Sequence, residues 1–171
     1  MTEPLRVDFE VACPPDRAFV LWTDGISAWW PADHTVSGRD DLTVVFEPHI
    51  GGRIFERTPE GDEHEWGVVT AWDPPDRLGY LWHLRRDRAD ATDVSVRFVP
   101  RGDDGTLVTI EHSGWERLGA GGEVWRERNE TGWRTLGPHF VAAVALDGPR
   151  DTVARGATAS QRNEDTKEDR P

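Results

Sequence analysis

The residues best able to move protons in this chain are its six histidines, His34, His49, His64, His83, His112 and His139. His112 follows Glu111 near the end of TLVTIEH, a strand-length run rich in β-branched residues. Strand alternation puts it on one face with Val108 and Ile110 and points it inward. An inward imidazole beside a carboxylate can act as general acid or base, which makes His112 and Glu111 the candidate catalytic pair. The bland reading is favoured: an interior histidine whose ring nitrogens are both hydrogen-bonded. No histidine stands at a metal-binding spacing from another His, Cys or carboxylate, and DEHE around His64 reads as a solvated strand end, so no metal is expected. Ser27, Ser37, Ser95, Ser113 and Ser160 lack the G-x-S-x-G context of an activated nucleophile. The glycines of IGGR lack the following helix that a phosphate-cradling loop requires, and no cofactor is expected.

Binding is better supported than catalysis. The chain has nine tryptophans in 171 residues, more than the filling of one such core requires. Trp29 and Trp30 are adjacent in AWWP, where Pro31 must stop a helix. Neighbouring rings on a short helix point about 100° apart, so one flat surface cannot bury both. The simplest arrangement packs one under a sheet and sets the other at a cavity rim. Rigid rings around a void, each with an N–H donor, suit a planar polycyclic guest better than a flexible chain. The candidate ligand-binding residues are Trp29, Trp30, Phe46, Phe55, Trp66, Trp82, His112, Trp115, Trp133 and Phe140.

These residues need a scaffold. The length suits one domain, assigned to residues 1–146, with a disordered polar tail over 147–171, where charges of both signs meet almost nothing apolar. A formal net charge of −12 opposes a nucleic-acid surface. No window approaches the roughly eighteen apolar residues of a membrane span. The N-terminus shows no leader pattern, and a cytoplasmic protein, monomeric or weakly dimeric, is expected. Cys13 is the sole cysteine, so no intrachain disulfide is possible, and it reads as a half-buried apolar side chain.

LRVDFEVAC alternates as a half-buried strand, and PPDRAFVLWTD opens with prolines suited to a first helical turn. ISAWW predicts a second short helix. Six further runs, LTVVFE, RIFER, EWGVVTAW, LGYLWHL, DVSVRFV and TLVTIEH, are separated by short turn signals and must pair antiparallel. Trp125, Trp133, Leu136, Phe140 and Val144 then fall at helical steps within Glu123–Leu146, interrupted by Pro138, which is expected to kink the helix. The expected fold class is α+β, a β-α-α-β6-α helix grip in which a curved antiparallel sheet wraps a long C-terminal helix around an internal hydrophobic cavity.

Five segments carry a family resemblance: LWTDGISAWWP, EPHIGGRIFER, EWGVVTAWDPPDRLGYLW, VTIEHSGWERLG and the Gly132–Trp133 pair. Together, in this order, the chain from about Leu5 to Val144 resembles the START-like helix-grip superfamily. Within it, the chain is similar to bacterial homologues of the C-terminal domain of the heat-shock-chaperone ATPase activator. AWWP, TIEH and ETGW look most like the enediyne self-resistance type. Many relatives carry proline directly after the helical Gly-Trp, where this chain has Arg134. The resemblance implies a hydrophobic ligand cavity and no single reaction. The leading expectation is a non-catalytic protein binding a hydrophobic, partly aromatic natural product, polyketide or enediyne in type, in its biosynthesis or in self-resistance. The rivals are a polyketide cyclase or hydratase using His112 and Glu111, and a module that activates a chaperone ATPase.

Overall fold

The computed structural model describes residues 2–148. Seven strands form one sheet: β1 (Leu5–Val11), β2 (Thr43–Phe46), β3 (Arg53–Arg57), β4 (Glu63–Asp73), β5 (Arg77–Trp82), β6 (Thr92–Arg101) and β7 (Gly105–Ser113). Its order is β1-β7-β6-β5-β4-β3-β2, and every neighbouring pair is antiparallel. Consecutive strands from β2 to β7 are neighbours, as short turns require; β1 alone comes from afar, along β7.

Helix α1 (Pro15–Thr23) begins with proline in its first turn and buries Ala18, Phe19 and Trp22. The second expected helix is a single 3-10 turn, Ile26–Ala28, and a similar turn, Ala32–His34, follows Pro31. Helix α2 (Gly122–Asp147) runs through Pro138 and spans about 39 Å. The expected tail falls, beyond Gly148, outside the described residues.

Two register shifts in β4 curl the sheet. Phe55 pairs with Glu65 while Ile54 pairs with Gly67, leaving Trp66 as the extra residue; Thr70 is skipped in the same way opposite β5. Such bulges bend a strand and increase its twist. The concave face carries Leu78, Tyr80 and Trp82 of β5, Val94, Val96 and Phe98 of β6, and Val108, Ile110 and His112 of β7, all buried. Cys13 is more enclosed than expected, at 1% exposed, and burial raises its thiol pKa.

Helix α2 lies along β1, where Gly137 allows close approach: a Cβ there would stand 3.3 Å from the Phe9 ring. The helix is used unequally. From Trp133 onward it buries Trp133, Leu136, Gly137, Phe140 and Val144, whereas its first ten residues bury only Gly122.

Candidate functional site

Beneath the buried half of α2 the sheet's interior is filled with rings. Trp22 lies 5.0 Å from Phe140 and 5.1 Å from Trp29, centroid to centroid, and Trp29 lies 5.0 Å from Phe140. These are ordinary distances for interlocked aromatic pairs. At the other end of the sheet lies an open cleft of about 420 Å³. Its floor and walls are Trp30, Trp82 and Trp133, and its rim comes from the loop after β5, the start of β6 and the first half of α2.

The AWWP pair explains the division. With no regular helix at Trp29, the two rings separate: Trp29 turns into the core and Trp30 packs 5.3 Å from Trp66 and 5.8 Å from Trp82. Each indole N–H is held by a backbone carbonyl, Trp29 on Leu21 and Trp30 on His34, both at 2.9 Å. Both rings are buried, and Trp30 alone of the two lines the cleft.

Of the other candidate ligand-binding residues, Trp82 and Trp133 meet at the cleft, and the remaining ones lie elsewhere. Phe46 packs on Trp72 and Tyr80. Phe140 is in the filled core, and Trp66 and Trp115 are fully enclosed. Phe55 is on the opposite face of β3 from Ile54, with the Arg53 guanidinium 4.3 Å and that of Arg57 5.2 Å from its ring centroid.

His112 is enclosed just behind Trp133. A tryptophan N–H can only donate, so the 3.0 Å bond from Trp133 Nε1 makes His112 Nδ1 an acceptor. The proton is therefore on Nε2, 2.7 Å from Thr92 Oγ1, and the Thr92 hydroxyl donates onward to the Trp82 carbonyl at 3.2 Å. Burial, with a smaller contribution from Arg86, pushes the His112 pKa down to about 3. The ring is neutral and both its nitrogens are occupied. Glu111 points to the other, exposed face of β7, so the two do not form an acid–base pair.

One buried group escaped the sequence reading. Glu56 is 0% exposed and faces inward from β3 with Ile54. It accepts from the backbone N–H of Val36 and Ser37, each at 2.7 Å, and from Trp66 Nε1 at 2.9 Å. Burial alone would raise its pKa, but these donors outweigh it and hold the carboxylate below its usual range. RIFER contained the signal, since alternation puts Ile54 and Glu56 on one face and Arg53, Phe55 and Arg57 on the other.

The rim of the cleft is polar and basic. Arg85 has a positive φ of 61°, uncommon outside glycine; its side chain donates to the carbonyls of Thr35, at 2.7 Å, and Asp33, at 2.9 Å. That bridge ties the loop after β5 to the segment after Trp30. Arg86 and Arg128 flank Trp125, with guanidinium carbons 4.8 and 5.3 Å from its ring centroid. Two histidine–carboxylate contacts complete the wall: His34 Nδ1 to Asp33 Oδ1 at 2.8 Å, and His83 Nε2 to Glu65 Oε1 at 3.2 Å. Among the described residues no cluster of His, Cys, Asp and Glu could hold a metal ion, and no helix is long and apolar enough to cross a membrane.

The sequence profile of the family described as Activator of Hsp90 ATPase homolog 1-like protein matches residues 12–145. The chain belongs to that family. No curated protein matches it in sequence. Among solved structures, an anthrahydroquino-γ-pyrone synthase, Txn09, is similar with 30% identity, a TM-score of 0.53, and coverage of 87% of this chain and 90% of its own. CalC, a self-sacrificing resistance protein from Micromonospora echinospora, has 26% identity, a TM-score of 0.64, and coverage of 86% and 97%. An HSP90 activator from Plasmodium falciparum, at 18% identity, TM-score 0.58 and coverage of 84% and 96%, shares the fold. Solved structures similar to this chain thus include a synthase, a resistance protein and an HSP90 activator, and the fold alone does not choose among them.

Proposed function

We propose that the protein binds a hydrophobic, partly aromatic small molecule of polyketide or enediyne type in the cleft beside the first half of α2. The observation that carries this reading is the cleft itself. About 420 Å³ of space floored by Trp30, Trp82 and Trp133 is within the usual size of small-molecule sites, and the α2 residues above it bury almost nothing of their own. The resistance protein and the synthase among its structural relatives support a natural-product ligand. Cytoplasmic location and a monomeric or weakly dimeric state belong to the same reading.

A neutral tricyclic probe, 9-anthracenemethanol, tests it by calorimetry, with saturable one-to-one binding expected. Gly132 is on the cleft wall, and a Cβ there meets nothing within 4 Å. Gly132→Phe directs a ring from an unobstructed Cβ on the cleft wall and should abolish binding while the protein stays folded. Absence of binding to the wild type, or undiminished binding to Gly132→Phe, contradicts the reading.

The contacts of His83 with Glu65 and His34 with Asp33 favour one alternative, a ring-forming enzyme in which the cleft folds a polyketide and His83 or His34 handles protons. It requires turnover that His83→Gln or His34→Gln removes while binding survives. Turnover unaffected by either substitution argues against it.

A further inference from the structure

Arginines outside the cleft are mostly matched by carboxylates, as in Arg17–Asp147, Arg57–Glu63 and Arg117–Asp93. The cleft arginines are not: among the described residues Arg85, Arg86 and Arg128 form no ion pair. Arg85 is committed to backbone carbonyls. Arg86 is half-buried and contacts the Asp90 carbonyl. Burial lowers its pKa and the Asp90 charge offsets part of that, yet it remains a cation at neutral pH. Arg128 touches Trp125 through its ring face.

This arrangement is unusual in a chain of net charge −12, where acidic partners are plentiful. The acids nearest the cleft are otherwise engaged. Asp33 is on the rim but faces His34 and is 79% exposed, and Glu65 contacts both His83 and Arg88. Two guanidinium groups held against one indole, next to an aromatic cavity and with no ion pair to a carboxylate among the described residues, form a socket for an anion.

We infer that the occupant is a planar aromatic body bearing an anionic oxygen group, a carboxylate or ionised phenol, with the rings on Trp30, Trp82 and Trp133 and the anion at the guanidinium groups of Arg86 and Arg128. This rests on the cleft being a ligand site and adds the charge of the ligand. The indole N–H of Trp82, which has no acceptor among the described residues, supplies a further donor along the same wall.

The experiment compares 9-anthracenecarboxylate with 9-anthracenemethanol, which share a ring system and differ in charge. Wild-type protein should bind the carboxylate roughly tenfold more tightly at low salt, and the preference should shrink as ionic strength rises. Arg86→Gln with Arg128→Gln should bring the two affinities to within about twofold while alcohol binding is retained, which also reports an intact fold. Arg97→Gln, which removes one positive charge from outside the cleft, should leave the preference unchanged. Equal affinity of both probes for the wild type overturns the anion socket and leaves the cleft reading standing. So does a preference that survives the double substitution or that Arg97→Gln also erases. Binding of neither probe overturns both.

Discussion

The two halves of α2 pack against the same sheet and do opposite things with aromatic residues. Past Trp133 the helix sets Phe140 against Trp22 and Trp29, each ring filling the hollow left by another. Before Trp133 it stands over Trp30 and Trp82 with Trp125 and two guanidinium groups at its edge, and the hollow stays open. Tryptophan abundance is therefore no indicator of a binding site by itself. What separates filling from lining is whether a second element supplies a complementary side chain, and the ten residues from Gly122 supply mostly polar ones.

The largest effect should come from breaking the filled half. Phe140→Ala should destabilise by about 4 kcal/mol, by loss of transfer energy and by a cavity its neighbours cannot collapse. Urea unfolding measures it. A loss below about 1 kcal/mol would mean that the closed half is loosely packed and that the contrast fails.

His112 joins the halves, and acid should act through it. Its folded pKa, at about 3, is below the ordinary value, so between these values the unfolded chain binds the extra proton. Stability is therefore full at neutral pH and should fall by up to ~1.4 kcal/mol per unit as pH drops below about 6. Unfolding measured at a series of pH values tests this, and His112→Gln should lose one proton's worth of that slope. Glu56, held below its usual pKa, adds a loss of the same sign as pH falls below the ordinary carboxylate range, where the unfolded chain takes up that proton first.

Glu56→Gln at pH 7 should cost about 2 kcal/mol by weakening its bonds to Val36, Ser37 and Trp66. Hydrogen exchange should speed at the Val36 and Ser37 amides before those of β3. Uniform exchange across the sheet would show that Glu56 is not what holds this segment.

The smallest effect on stability belongs to the open half. Trp125→Ala should cost less than about 1 kcal/mol, since its ring is only partly buried, at the edge of the core and beside two arginines. The same change should weaken 9-anthracenemethanol binding several-fold by calorimetry. Destabilisation as large as that of Phe140→Ala would erase the distinction between the halves.

Much of the scaffold was legible in the sequence. LRVDFEV, the turn-delimited strand runs, and the spacing of Trp133, Leu136, Phe140 and Val144 each carry a local period, and local periods survive folding because one face must be buried. The inward position of His112 followed from the same rule. The open end was not legible, because Trp29 and Trp30 are identical in type and adjacent, and their separation depends on a 3-10 turn and on carbonyls of Leu21 and His34. Arg86 and Trp125 meet across nearly forty residues with no shared pattern. Phe55 has the type of a cavity-lining ring, but its parity with Arg53 and Arg57 puts it on the opposite face of β3 from Ile54.

The account turns on which indoles a guest touches. Nitrogen–proton spectra of the nine tryptophan side chains, titrated with 9-anthracenemethanol, answer that directly. Shifts should concentrate on Trp30, Trp82, Trp125 and Trp133, with Trp22, Trp29 and Trp115 unmoved. Equal movement of the core indoles, or a spectrum that does not change at saturating probe, would contradict the division between a filled core and a receptive cleft.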